Sequence, residues 1–504
     1  MKTPLYPVVF SLIVALLSSC NDDFLETLPL ASPSDATYWS SVNDATLWIN
    51  YAYRSLPSPS DYALIGMSDD AVGAGDNIAR GVHTPNDVDI KWDYTTIRHC
   101  LELMENIDKI PTLTQEERNI HTGQARFIIS LRYFEMITLY RDIPFFEETT
   151  TIEESDAPKT DKSVILAYIL EQLDRAIAEL PLAWPDAEAG RATQGAALAL
   201  KARVLLYNER WAEAAATAQQ LIDLGMYELH PNFDELFLTS FNNQTKESIL
   251  EHQFAEGLYT HDLWNTFGFS TIGGSSKSCP LPALINSFEC TDGLPIDESP
   301  LYDPLDPWTH RDPRFHMSFI VPFEEIGGQP FDPVNNIADK NANRTYVYFR
   351  KYIADMDSQQ RSLWSNWKIF RYAEVLLTYA EAQNEVAGPD ARVYDAIDQI
   401  RARAGMPALD RVRYRTQETL REAIRNERRV ELAGEMLRYY DIIRWRIAEE
   451  VLDDQTYTSM EVPGLLPLKV INNGTFDPSK HYVLPIPQFA IDNAKNLEQH
   501  PEWD

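Results

Sequence analysis

Cysteine is scarce: the 504 residues hold four, at positions 20, 100, 279 and 290. So few exclude a disulfide-stapled scaffold, and no CxxC or Cys/His spacing suggests a metal site. Beyond Cys20 the remaining number is odd, and Cys279 with Cys290 is the only close pair; buried free thiols are the expectation for a large body. Positive charge is scarce too, with 44 Lys and Arg against 76 Asp and Glu and a net charge of -32. That balance argues against nucleic acid, whose phosphates need clustered cations, and against electrostatic docking on an anionic lipid surface. Past residue 17 no apolar run approaches the roughly 20 residues that span a bilayer. HExxH and GxSxG are both missing. "GGSSKS" (273–278) lacks the Gly-Lys-Ser/Thr of a phosphate loop, and "GAGDNIARG" (73–81) is not followed by the long apolar helix of a dinucleotide fingerprint. No cofactor is implied. Aromatics, in contrast, reach 11%, so the chain has the means to fold around a core.

The first residues read as an export signal: Lys2, an apolar run from Leu5 to Leu17, then Ser18 and Ser19. Leu17-Ser18-Ser19-Cys20 resembles a bacterial lipobox, in which cleavage precedes the cysteine and acyl chains are attached to it. Each buried methylene contributes about 0.8 kcal/mol, and more than one chain gives a stable anchor. Cys20 is therefore the expected lipid anchor. Asn21-Asp22-Asp23 resembles the acidic tag that sends some lipoproteins to the outer face of the outer membrane. The expected location is the outer membrane, lipid-anchored and facing the exterior.

The body reads as mostly α. "GQARFIISLRYFEMITLYRDIP" (123–144) places Ile128, Leu131, Phe134, Ile137 and Tyr140 on one face, and Pro144 stops it. "SVILAYILEQLDRAIAELP" (163–181) has a serine start and a proline stop. Residues 191–229 read as a helical hairpin, capped by Thr193, turning at 208–210 and closed by Gly225. Residues 368–407 read as helix, Gly-Pro turn and helix, and 418–445 as one further long helix. Such pairs resemble tetratricopeptide units, whose period is about 34 residues, although the period here is irregular. From about 230 to 365 the chain is rich in Pro, Gly, Asn and aromatics, and residues 57–95 are similar; long irregular stretches in compact proteins are usually functional. The expected divisions are a signal peptide (1–19), an N-terminal helical region (20–230), a loop-rich ligand-binding region (231–367) and a C-terminal helical region (368–504).

Taken in order, "CNDDFLE", "ARFIISLRYFEMITLYRDIP", "RATQGAALALKARVLLY", "FECTDG", "RDPRF", "FRYAEVLLTYAEAQN", "REAIRNERRVELA" and "LPIPQFAIDNAKNLEQHPEW" resemble the SusD/RagB family of outer-membrane nutrient-binding lipoproteins. The resemblance covers almost the whole mature chain. It implies a tetratricopeptide-like helical-hairpin scaffold with an irregular ligand-binding face and no catalysis. It also implies a SusC-like TonB-dependent transporter as partner, covered by the lipoprotein as a lid. The implied ligand is an oligosaccharide, or a peptide in the RagB branch. The chain departs from the family's usual residues at Leu101, at Gly434-Glu435-Met436 and at Glu502.

Candidate residues come from the irregular stretches. Asp69, Asp70, Asp76, Asn77 and Arg80 offer a polar set for sugar hydroxyls in one short span, although Gly, Asn and Asp also serve turns. "GLYTHDLWNTFGFSTIGG" (257–274) carries Tyr259, Trp264 and Phe267 between glycines, a stacking platform if exposed; the plainer reading is a loop pinned to the body. Trp364 lies on the loop side of "KIFRYAEVLL", with Arg361 a polar candidate nearby. Trp92 and Trp367 are expected in packing. "NDVDIKWD" (86–93) has calcium-like spacing without the central glycine or distal glutamate of an EF-hand loop. The charges of 418–445, with Arg428/Glu431 and Glu435/Arg438 three apart, read as a structural ion-pair network. Rival readings are a glycoside hydrolase, which needs an acid with a raised pKa in a desolvated cleft, and a scaffold that only completes the transporter.

Overall fold

A computed structural model describes residues 38–342, 344–354 and 362–504; the export signal, Cys20 and Arg361 lie outside them. Helix α1 (Val42–Ala52) is opened by a capping box in which Ser41 accepts from Asp44 N–H and Asp44 reaches back. Asp93 caps α2 (Tyr94–Asn106), so this carboxylate of the calcium-like stretch has a local task. A second capping box, Thr114 with Glu117, starts α3 (Gln115–Tyr140). Next come α4 (Lys162–Glu179), α5 (Gln194–Tyr207) and α6 (Trp211–Asp223). Asp161, not Ser163, caps α4: its carboxylate accepts from Ser163 N–H at 2.8 Å. Thr193 caps α5 as expected, and Gly225 follows α6 at φ +63°.

The C-terminal helices are α7 (Tyr372–Ala387), α8 (Ala391–Arg403), α9 (Gln417–Glu431) and α10 (Arg438–Arg444). Each helix from α2 to α8 packs on the next, and α9 packs on α7. The α6–α7 contact joins the two helical blocks into one stack, and the irregular middle loops out of it. Ala197, Ala199 and Ala202 are buried where α5 meets its neighbours, letting the backbones approach. Among the described residues no helix is long and apolar enough to cross a membrane.

Two expectations are corrected here. Residues 368–371 belong to a strand, because four short strands pair across the loop-rich middle. These are β1 (Ala71–Gly73), β2 (Ser248–His252), β3 (Ser278–Pro280) and β4 (Trp367–Arg371). β1 pairs with β3 and β2 with β4, both antiparallel, with His252 opposite Trp367. The stretch 418–445 is two helices, broken where Gly434 and Met436 take φ of +75° and +65°.

That break redirects the charges. Arg428 pairs with Asp441 at 2.8 Å rather than Glu431, and Glu431 instead receives Arg314 at 2.9 Å, Arg371 at 2.5 Å and Arg403. Glu435 meets Lys351 at 2.9 Å and Arg371 at 2.8 Å, while Arg438 holds Asp69 at 2.9 Å. The network is buried and structural: removing one partner of a buried pair costs about 3–5 kcal/mol because a charge is left uncompensated. Cys100, Cys279 and Cys290 are buried free thiols, and burial pushes the Cys279 thiol up to about 11. Trp367 stacks on Tyr352 at 4.4 Å, and Trp92 meets Tyr140 edge-on at 4.9 Å, so both serve packing.

Candidate functional site: an aromatic groove and a polar bay

The alternation at the end of "SILEHQF" sends His252 and Phe254 to one face of β2 and its continuation. The chain then reverses tightly. Ala255 and Tyr259 exchange backbone hydrogen bonds of 2.8 and 3.0 Å, and Gly257 sits at the tip with φ +67°. This return lays Tyr259 flat on Phe254, with centroids 4.9 Å apart and planes 11° apart. Phe254 in turn lies 5.1 Å and 20° from the His252 ring, and His261 meets it edge-on at 4.9 Å. The cluster is pinned from behind: His261 pairs with the Leu363 backbone at 2.8 and 3.0 Å, and Asn366 Oδ1 accepts from Phe254 N–H at 2.8 Å. Burial lowers the His252 pKa, so its imidazole is neutral at neutral pH. The network assigns Nδ1–H to the Leu56 carbonyl at 3.1 Å, leaving Nε2 to accept from the Tyr259 hydroxyl at 3.3 Å. Tyr259 is thus oriented at its hydroxyl and on one face, yet remains 47% exposed.

Clefts of about 270 and 300 Å³ flank Tyr259. The first is lined by Asn50, Tyr53, Arg54 and Gln253, the second by Ser60, Asp262 and Ser362. A third, about 280 Å³, shares Gly190, Arg191 and Glu251 with the first and adds Trp184 and Tyr227. The Arg191 guanidinium lies 5.7 Å from the Trp184 ring and 6.0 Å from that of Tyr53. Together they form a groove that offers flat rings to apolar faces and amides, hydroxyls and guanidinium groups to hydroxyls. Glu251, in its floor, is bound by Lys368 at 2.6 Å and held below the usual carboxylate range: burial pushes it up, but Lys368 outweighs that.

A second opening, about 610 Å³, lies over the 73–81 loop. Its lining includes Asp76, Arg80, Arg344, Lys469 and Asn472. Gly73 (φ +140°) at its edge has no room for a side chain, since a Cβ there would lie 1.9 Å from the Lys277 carbonyl oxygen.

The expected residues divide between these places. Tyr259 stands at the centre of the groove; Asp76 and Arg80 line the bay, with Asn77 half-buried on the same short helix, Asp76–Ala79. Asp69 and Asp70 are not available to a ligand: each is 3% exposed and bound by Arg429. Phe267 is no platform, being fully buried against Phe349 at 5.0 Å. Trp264, on the short helix Leu263–Phe267, is half-buried against the core and lines none of the three groove clefts. Trp364 is half-buried beside Leu363, its carbonyl accepting from Asn242 at 2.7 Å. His252, Phe254, Tyr53 and Arg191 were missed; the period-two run into Phe254 was the one available signal. Arg344, Lys469 and Asn472 carried none, because they come from two remote segments.

A helical stack that presents ring-lined and polar clefts on its irregular segments is a ligand-binding architecture. The chain belongs to the SusD family, whose profile matches residues 246–503; a second profile, described as starch-binding associating with outer membrane, matches residues 67–206. It is 24% identical to SusD-like protein P25 of Formosa agariphila, across 89% of this chain and 91% of that one. Among solved structures it resembles a SusD-like carbohydrate binding protein from Bacteroides fragilis, with 28% identity, a TM-score of 0.85, and 92% and 100% of the two chains covered. It also shares the fold of a laminarin binding SusD-like protein, with 22% identity, a TM-score of 0.69, and 92% and 99% covered.

Proposed function

We propose that this chain is a surface lipoprotein that captures an oligosaccharide in the Tyr259 groove and passes it to a SusC-like TonB-dependent transporter. The observation that carries the reading is Tyr259 itself, stacked on Phe254, hydrogen-bonded through its hydroxyl and still 47% exposed between two polar clefts. An aromatic face oriented before binding meets the CH face of a sugar at little entropic cost. The similar structures described above, a carbohydrate binding protein and a laminarin binding one, support the same ligand class.

Capture here breaks no bond. Among the described residues the two carboxyls raised above their ordinary values, Asp70 and Glu289, are each bound by an arginine and line neither groove nor bay. Acylated Cys20 anchors the protein at the outer membrane, and the loop-rich face closes over the transporter as a lid. Cys20→Ala is expected to release the protein from the membrane fraction.

Calorimetric titration of the full chain against laminari-oligosaccharides, other glycans and mixed peptides tests the ligand. Saturable binding of one glycan class, weakened about tenfold by Tyr259→Ala, is expected, since stacking contributes about 0.5–1.5 kcal/mol. Binding to peptides alone would move the protein to the RagB-type reading. Glycan binding untouched by Tyr259→Ala would remove the groove from it.

A further inference from the structure

Among the described residues two tyrosines are about half exposed, Tyr259 at 47% and Tyr51 at 48%. They are mounted alike. Tyr259 lies on the Phe254 ring and is hydrogen-bonded to His252. Tyr51, in the last turn of α1, meets the His99 ring of α2 at 4.7 Å, and that ring stacks in turn on Trp48, 4.2 Å away and within 6° of parallel. Two hydrogen bonds lock the underlying pair: Trp48 Nε1–H donates to the His99 carbonyl at 2.7 Å, and His99 Nε2–H donates to the Trp48 carbonyl at 2.8 Å. Burial lowers the pKa of His99 as it does that of His252, so both imidazoles are neutral at neutral pH and each tyrosine is backed by uncharged rings.

Tyr51 is also tied to the groove. With about 3.6 residues per turn, the order round the end of α1 is Tyr53, Asn50, Arg54, Tyr51, in steps of about 60°, 40° and 60°. Asn50, Tyr53 and Arg54 line the first cleft beside Tyr259, and the Arg54 guanidinium lies 5.7 Å from the Tyr51 ring, so this arginine is shared between cleft and tyrosine. Leu47, one turn earlier on the same face, is 55% exposed and widens the apolar surface. A tyrosine and a leucine rimmed by exposed Asn43, Asn50 and Arg54 have the make-up of a contact surface rather than of a solvated helix flank. We infer that Tyr51 is a second stacking platform, continuous with the Tyr259 groove across Arg54, and that the ligand is a linear glycan chain long enough to lie on both tyrosines. Asn50 and Arg54 meet the hydroxyls of the units between them. A chain already held at Tyr259 reaches Tyr51 at the high effective concentration of a tethered group, so the second contact adds affinity at little entropic cost. The inference rests on the reading of the groove as a saccharide site and adds to it a preference for length.

The test is titration of the full chain with the trimers and hexamers of the laminari-, cello- and malto-oligosaccharide series. In whichever series binds, the hexamer is expected to bind about fivefold tighter than the trimer. Tyr51→Ala should erase most of that advantage, and Tyr51→Phe, which keeps the ring, should retain it. Tyr51→Gln, which keeps a long side chain without the ring, should lose it as the alanine variant does, so that a loss through altered helix packing is told apart from loss of the platform. Tyr259→Ala should weaken both lengths. A hexamer that binds no tighter than the trimer, or an advantage that survives Tyr51→Ala, overturns the inference and leaves the Tyr259 groove standing. Binding of no series at either length overturns it together with the saccharide reading.

Discussion

Asp69 and Asp70 are neighbours that share Arg429, yet their carboxyls are driven in opposite directions. Burial pushes Asp69 up, but Arg429 at 2.8 Å and Arg438 at 2.9 and 3.0 Å outweigh it and hold the carboxyl at about 2. Asp70 has the same burial, shares one arginine and faces the Asp69 charge, and its pKa is raised. The linkage differs in sign. A depressed carboxyl adds stability above its unfolded value of 3.8 and loses it as pH falls towards 2. A raised one works against the folded state once the pH passes its unfolded value. Asp69→Asn is therefore expected to cost about 3 kcal/mol at pH 7, leaving two mostly buried guanidinium groups underpaired, and Asp70→Asn far less. Chemical denaturation of both variants at pH 7 checks this, and equal losses would contradict the assignment. The same pair shows where sequence reading fails for single residues. Two aspartates in a Gly-rich neighbourhood resemble sugar ligands until their partners are known, and those lie 360 and 369 positions away. The exposure of Tyr259 has a local cause: Gly257 permits the reversal that presents it.

At the scale of elements, the break between α9 and α10 decides what a charge-dense segment does. Spacing of three implies pairing only while the helix continues. Gly434 ends it, and Glu435 swings inward to Lys351 and Arg371 while Arg438 reaches Asp69. Burial, only partly offset by Glu435, brings the Lys351 ammonium down to about 8, a measure of how closed this pocket is. Gly434 holds φ +75°, and a Cβ there would meet Phe349 Cδ1 at 3.1 Å. Gly434→Ala should cost about 1–2 kcal/mol from left-handed strain alone, seen as a lowered Tm with unchanged helical content. A Tm equal to that of the parent would mean that the break tolerates a side chain and that Glu435 is placed by other contacts. The helices themselves were readable from periodicity, and Thr193 was readable as a start and Gly225 as a stop because capping is a short-range hydrogen-bond problem. β4 was not readable: "WKIFR" is apolar enough for either state, and its partner β2 makes the choice from more than a hundred residues away.

For the whole molecule, composition changes near residues 230 and 367 suggest separable regions, yet the contacts cross both places. Arg203 on α5 holds Glu374 on α7 at 2.8 and 2.5 Å. Strand β1 in the first region pairs with β3 in the second, and β2 in the second continues into the last through β4. The C-terminal end returns to the first region, where Glu502 takes two bonds from Arg141, at 2.7 and 3.2 Å, just past the end of α3. That pair uses a position where the chain departs from the family's usual residue, and its hydrogen bonds outweigh modest burial to hold the Glu502 carboxyl at about 2. The order of helical motifs made the family legible, because each motif is a local pattern. The bay stayed illegible because residues 76–80, 344 and 469–472 meet only after these long-range pairings form. If the pairings bind the regions as tightly as their burial implies, the regions should unfold together: one calorimetric transition, and no surviving fragment bounded near 230 or 367 in limited proteolysis. Glu502→Gln should lower that single Tm at pH 7 and shrink the stability lost as pH falls from the unfolded value of 4.5 towards 2, without splitting the transition. Two resolved transitions would mean that the buried pairs join bodies able to stand alone, and the groove, built from residues 50–54, 187–191 and 251–259, would then lie across a joint rather than on one rigid face.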